Sequence, residues 1–213
     1  MIRRFLPALA ALAILTMSAG ASQEAPKSEA TEPVVTLKTV QGDIIVHFFP
    51  EIAPEHVKNF LFHCEEGNYA GTYFHRVIPG FMIQGGDFNT KDEDPTNDGQ
   101  GGWSYKGMGT QLPAEFNSRK HERGILSMAR AQDPNSAGSQ FFIMHQDYPS
   151  LDGKYTVFGQ VISGLEVVDK IVAVDRDRRD RPTQNQTITK ILVEDWPVKK
   201  VENYLQEQAV REN

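Results

Sequence analysis

The sequence predicts a mainly β fold, a closed barrel or sandwich of about eight short strands accompanied by two helices. Three observations carry this reading. Short apolar runs recur between glycines and turn formers, only two stretches in the body of the chain have helical spacing, and a lone cysteine, Cys64, leaves packing rather than an internal disulfide to hold the fold. At 213 residues the chain can bury one full core, and no repeat of roughly 20 to 50 residues runs along it.

The chain opens with Arg3-Arg4, an apolar stretch from Phe5 to Met17 and the small residues Ser18-Ala19-Gly20-Ala21. This is the layout of a secretory signal cleaved after Ala21, since about 13 apolar residues cannot cross a ~30 Å hydrocarbon layer as a helix. Residues 22–33, rich in Ser, Glu, Ala, Pro and Thr, read as a flexible leader, with order beginning near Val34. Val35, Leu37 and Thr39 then alternate with Thr36, Lys38 and Val40 before the turn Gln41-Gly42-Asp43 and a second strand from Ile44 to Phe49. That is a hairpin signal.

Pro54 suits a first helical turn, and Val57, Phe60, Leu61 and Cys64 form one apolar stripe ahead of Gly67, which stops the helix. Cys64 is therefore expected to be buried. Strands are expected at Phe74 to Ile78, Met82 to Gly85, Ile125 to Ala129, Gln140 to Met144, Thr156 to Val161 and Thr187 to Val193, and a second helix at Leu165 to Val172. Asn89 to Gly109 reads as a long surface loop. The domain should span 34–195. In the tail, 196–213, Val201, Tyr204 and Leu205 have helical spacing, which fits a helix packed on its own barrel, a frayed end or a partner-binding helix.

Charge and the remaining motifs exclude several functions. Arg3 and Arg4 are the only charges before Ser22, so signal removal takes the formal charge from −6 to −8. Such a body is repelled by nucleic acid and anionic lipid. His56, His63 and Cys64 have no further ligand at metal-site spacing, so no metal is expected. The glycines from Gly99 to Gly109 break the G-x-G-x-x-G pattern at Ser104, and the sign-alternating run Asp175-Arg176-Asp177-Arg178-Arg179-Asp180-Arg181 reads as a solvated loop.

The most informative stretch is Phe74-His75-Arg76-Val77-Ile78-Pro79-Gly80-Phe81-Met82-Ile83-Gln84-Gly85-Gly86-Asp87, which groups one arginine, large apolar side chains and a glutamine without a covalent nucleophile. With Gly138-Ser139-Gln140-Phe141-Phe142-Ile143, Leu151-Asp152-Gly153-Lys154 and Val157-Phe158-Gly159, it resembles the cyclophilins, the peptidyl-prolyl cis-trans isomerases, and is similar to their bacterial exported, periplasmic members. The resemblance covers roughly Val34 to Asp195. It implies a closed eight-stranded antiparallel β-barrel capped by two α-helices, with a peptide groove on the outer surface of the barrel.

By that resemblance Arg76 is the catalytic donor, and Phe81, Met82, Phe142 and Leu151 seat the proline ring. Gln84 and Gln140 hold the peptide or orient the arginine, Ala129-Arg130-Ala131 pairs its main chain with substrate, and Gly99 lines the neighbouring subsite. Strand alternation separately puts Met82 with Gln84, and Gln140 with Phe142, on shared faces. The chain departs from the family at Arg130, commonly Asn, at Ser150, where many eukaryotic members have Trp, and at Tyr155, where they have His. The resemblance further implies proline-containing unfolded or extended polypeptides as partners and no cofactor or metal, and a monomer is expected; the acidic charge points to no nucleic acid. The N-terminal signal pattern implies the periplasm, with the eukaryotic secretory pathway as alternative, and no membrane insertion after signal cleavage. A non-catalytic peptide-binding chaperone module on the same barrel is the alternative function.

The exported protein is expected to begin at Ser22. Intact-mass measurement on protein recovered from its native envelope checks this, and a mass retaining Met1 to Ala21 would overturn it.

Overall fold

The short alternating runs become eight strands and three helices, in the order β1 (Thr31–Thr39), β2 (Gly42–Phe48), α1 (Pro54–Glu65), β3 (Arg76–Ile78), β4 (Met82–Gly85), β5 (Ile125–Met128), β6 (Phe141–Met144), β7 (Val157–Ser163), α2 (Leu165–Val172), β8 (Ile188–Pro197) and α3 (Val198–Arg211). The structure, a computed structural model, describes residues 29–211. The signal stretch Met1 to Ala21 and leader residues 22–28 lie outside the described residues.

The opening hairpin pairs Val34 with His47 through Thr39 with Gly42. Its turn is Val40-Gln41, one residue earlier than expected, because Gly42 at φ +135° is already paired and Thr39 Oγ1 donates to the Gly42 carbonyl at 2.7 Å. β1 starts at Thr31 rather than Val34, since Thr31, Glu32 and Pro33 pair with Pro197, Trp196 and Asp195. The same pairing carries β8 two residues past the expected boundary at Asp195.

α1 buries Val57, Phe60 and Cys64 as its stripe requires, and ends where Gly67 takes the left-handed φ of +70° and donates its N–H to the Cys64 carbonyl at 3.1 Å. Cys64 is 4% exposed, and burial pushes its thiol well above the usual range. α2 has the expected bounds. It is entered through Gly164 at φ +95°, where a Cβ would fall 2.2 Å from the Asp43 carbonyl oxygen, so a side chain there would have to displace backbone.

The eight strands form one antiparallel sheet in the order β3-β4-β6-β5-β7-β2-β1-β8. The sheet curls into a half-barrel and stays open, correcting the closed barrel expected from the sequence. Among the described residues the end strands β3 and β8 are linked by one isolated bridge, Tyr73 with Thr187, ahead of both. The reason is local: β3 has three residues, and its Val77 N–H donates to the Asp180 carbonyl at 2.8 Å, so the loop before β8 occupies the edge that β8 would need. The helix count is also corrected, from two to three. α3 lays Val201, Tyr204 and Leu205 against Val34, Ile162 and Trp196 of its own sheet, and Lys200 Nζ stands 3.2 Å from the Trp196 ring centroid.

The main core holds Leu37, Ile44, Phe60, Ile83, Phe141, Ile143 and Phe158. A second apolar cluster, separate from it, holds Met82, Ala129, Phe142 and Met144. No helix among the described residues is long and apolar enough to cross a membrane.

All six histidines are held below the usual imidazole range, burial being the largest cause at each, and His47 is lowered to about 4. A depressed folded-state pKa gives stability that is full above the unfolded value near ~6.5 and is lost as pH falls toward the folded value. For His47, 8% exposed and without a ring hydrogen bond, that loss reaches about 3 kcal/mol by pH ~4, at about 1.4 kcal/mol per unit. Denaturant unfolding at pH values from about 7.5 down to 4.5 is expected to show falling stability. A flat profile would contradict this.

Candidate active site

Register sets the site. Arg76 of β3 pairs with Gln84 of β4, Gln84 with Phe142 of β6, and Phe142 with Ser127 of β5, so these four form one row across the sheet. The neighbouring row pairs Ile78 with Met82 and Met82 with Met144. Because side chains alternate, Ile83, Phe141 and Ile143 belong to the main core while Met82, Phe142 and Met144 make the second cluster. Phe81, Leu151 and Tyr155 pack around that cluster half-buried. The result is an apolar patch, buried at Met82 and Phe142 and half-exposed at Phe81, Leu151 and Tyr155, with Arg76 and Gln84 beside it.

Polar contacts tie the pocket rim together. Arg76 Nη1 donates to Gln84 Oε1 at 3.4 Å, Gln84 Nε2 to Gln140 Oε1 at 3.0 Å, and Gln140 Nε2 to the Gly99 and Gly101 carbonyls at 3.0 and 2.8 Å. The Asn89 to Gly109 segment is thereby fastened to β6. Asp87, fully buried, anchors its other side by accepting the Asn89 N–H at 2.9 Å and the Gly99 N–H. A second cleft of about 270 Å³ follows, lined by Gln84, Gly99, Ala129, Arg130, Ala131 and Gln140 among others. Arg130 donates to the Ala131, Gln132 and Lys154 carbonyls at 2.9 to 3.1 Å, and its guanidinium lies 4.5 Å from the Tyr155 ring centroid. Tyr155 in turn meets Phe142 edge-on at 5.8 Å. Of the residues named from the sequence, Phe81, Met82, Ala129, Phe142, Leu151 and Tyr155 belong to the second apolar cluster, and Arg76, Gln84, Gly99, Ala129, Arg130, Ala131 and Gln140 line the clefts beside it. Ser150 is exposed beside it, while Tyr148 packs its ring 4.4 Å from that of Phe81.

Sequence reasoning missed the layer under Phe142. His121 lies parallel to Phe142 with centroids 6.2 Å apart; its Nδ1 faces Asp152 Oδ1 at 3.1 Å and its Nε2 faces Ser127 Oγ at 3.0 Å. Burial holds this imidazole below its usual range despite Asp152, and the Ser127 hydroxyl facing Nε2 donates its one proton to the Thr156 carbonyl at 3.0 Å. The Asp-His-Ser order resembles a hydrolytic triad, but Ser127 is fully buried and its oxygen cannot reach a substrate carbonyl. The signal available was the pair Lys120-His121 ahead of β5 and Asp152 next to Leu151, which spacing alone does not connect. His56 and His63, weighed as metal ligands, are engaged elsewhere: His56 Nδ1 with Glu115 Oε2 at 2.6 Å and His63 Nε2 with the Trp103 carbonyl at 2.8 Å.

A larger cleft, about 580 Å³, lies between α2 and α3. Its prominent charges, Arg123 and Asp169, are paired with each other at 2.8 Å, and none of the sequence-named residues lines it.

The half-barrel thus carries an apolar patch and an arginine side by side on its outer face. Residues 34–193 match the family model described as "Cyclophilin type peptidyl-prolyl cis-trans isomerase/CLD". A probable peptidyl-prolyl cis-trans isomerase of Brucella abortus (strain 2308) is 48% identical over 168 residues, covering 77% of this chain and 83% of the relative. The isomerase ppi1 of Schizosaccharomyces pombe is 44% identical over 158 residues, covering 73% and 96%. Among solved structures, a cyclophilin type isomerase of Cryptosporidium parvum, crystallised in the presence of the dipeptide Ala-Pro, superposes with a TM-score of 0.68 at 37% identity, covering 76% of this chain and 98% of that one. The chain belongs to the cyclophilin-type peptidyl-prolyl cis-trans isomerases. It is an enzyme of that activity.

Ser127→Ala removes a buried hydroxyl on which His121 Nε2 depends, and is expected to lower the unfolding free energy by about 1–3 kcal/mol while shifting the Phe142 ring resonances. Unchanged stability together with unchanged Phe142 spectra would show that the layer does not support the pocket.

Proposed function

We propose that the enzyme acts in the periplasm, as a monomer without metal or cofactor, on X-Pro bonds in unfolded or extended polypeptides, with Arg76 as the catalytic donor. The observation that carries the reading is the pairing of Arg76 with Gln84 and of Gln84 with Phe142 in one sheet row, beside the apolar cluster that holds Met82, Phe142 and Leu151. The compartment rests on the N-terminal sequence pattern alone.

Rotation about the prolyl bond loses amide resonance against a barrier of about 18–20 kcal/mol, and no bond to the protein is needed. The site must therefore bind the twisted bond better than the planar one. In this reading Met82, Phe142, Phe81 and Leu151 hold the ring, and Ala129-Arg130-Ala131 aligns the flanking peptide. The Arg76 guanidinium donates to the prolyl nitrogen as that nitrogen loses conjugation and gains basicity. The arginine suits the task because it stays charged and offers several donors from a rigid plane. Among the described residues its one side-chain hydrogen bond is the long one to Gln84, which leaves the other N–H groups for substrate.

Arg76→Ala is expected to lower kcat/KM for an X-Pro peptide about tenfold to a hundredfold, or about 1.4–2.7 kcal/mol, with circular dichroism unchanged. A folded variant with the parent rate would remove Arg76 from the mechanism.

A further inference from the structure

Beside the pocket, on the Arg76 side, is a third cleft of about 330 Å³ whose wall carries Arg76, Arg130, Arg179 and Arg181 but one acidic residue, Asp98. Asp98 is paired through Oδ2, which accepts from Arg181 Nε at 2.8 Å and from the Tyr73 hydroxyl at 2.8 Å, while its buried Oδ1 has no hydrogen-bond partner among the described residues. Arg179 is 67% exposed and has only a distant ion pair, 3.9 Å to Asp177. Arg76 and Arg130 contact a side-chain amide and backbone carbonyls, and neither has a carboxylate within ion-pair distance among the described residues. The cleft is thus a concentration of uncompensated positive charge on a protein whose formal charge is −6.

A second observation points the same way. His75, 6% exposed, lies on the wall of this cleft, and among the described residues neither ring nitrogen has a hydrogen-bond partner. A buried imidazole without a partner is an open donor for an oxygen atom. The run from Asp175 to Arg181, read from sequence as a solvated loop, reaches the cleft because the Asp180 carbonyl accepts the Val77 N–H and so docks the loop on the edge of β3. Arg130, which differs from the residue common in the family, lines both this cleft and the neighbouring one.

We infer that this cleft is an anion subsite that selects X-Pro segments carrying an aspartate or glutamate within two residues of the proline. The inference rests on the groove reading given above and names the substrate class of that groove. Guanidinium groups bind carboxylates through paired N–H donors. An extended peptide advances about 3.3 Å per residue, so a side chain one or two residues from the seated proline spans the short distance past Arg76. The net negative charge of the protein weakens the approach of an acidic segment as a whole, so the attraction at this cleft also orients it.

The test is a set of matched X-Pro peptides with Glu, Gln or Lys at each position within two residues of the proline, read by NMR exchange spectroscopy, which needs no coupling protease. At one position at least, kcat/KM for Glu over Gln is expected to be about fivefold at low salt and under about twofold at ~0.5 M salt. Arg179→Gln and Arg130→Asn should each shrink that ratio, and the Lys peptide should be the poorest. Equal kcat/KM for Glu and Gln at every position, with the neutral peptides turned over normally, would overturn the subsite and leave the isomerase reading intact. Chemical-shift titration of the same peptides reads the subsite without turnover. A Glu preference in Kd supports it even if no peptide is isomerised, and equal Kd values sink it.

Discussion

Alternation along β4 and β6 is the constraint on which the site and the core both depend. Ile83, Phe141 and Ile143 point into the barrel, while Met82, Gln84, Phe142 and Met144 point out of it, from the same two short strands. A slip of one residue would exchange the two sets, putting a glutamine into the core and stripping the pocket. The register is guarded by close contacts: a Cβ on Gly85 would lie 3.0 Å from the Phe74 ring, and one on Gly86 would fall 2.6 Å from the Ser139 carbonyl oxygen. The groove is therefore part of the sheet, and its geometry is as rigid as the packing behind it.

Irregular segments are recruited to that sheet by a few buried polar groups. Asp87 and Gln140 hold the 89–109 segment from two sides, and Asn59 of α1 accepts the Tyr105 N–H at 2.7 Å while donating to the Gly138 carbonyl at 2.8 Å. Each is a point where backbone groups in a long loop find the partners that a strand ladder would otherwise provide. Replacing such a residue leaves several orphaned groups at once.

Much of this was legible in the sequence because the period of a strand or a helix is written locally. The bounds of α2 and β4 follow from spacing and from the glycines beside them, and Gly67 ends α1 for a reason visible in the chain. Arg76, Met82, Gln84 and Phe142 share one face because alternation fixes them on β3, β4 and β6, while the other candidate residues reach that face from the segments that flank these strands. What was not legible depends on contacts between distant segments. The open edge follows from the Asp180 carbonyl meeting the Val77 N–H, about a hundred residues apart in sequence, and the early start of β1 follows from its pairing with the end of β8. His121, Ser127 and Asp152 meet only once β5 and the turn after β6 are folded together. Arg179 and Arg181 looked like solvated charge because nothing nearby in sequence brings them to β3.

The lone thiol, sealed under α1 and held protonated by its surroundings, has a consequence for the conditions this protein can withstand. Thiolate is the species that attacks disulfides and peroxides, and Cys64 supplies almost none of it. Oxidants find no sulfur to crosslink in the folded molecule, and reductants find no bridge to cut. Once folded, the protein depends on no disulfide and offers no accessible thiol, so thiol–disulfide exchange leaves its packing untouched.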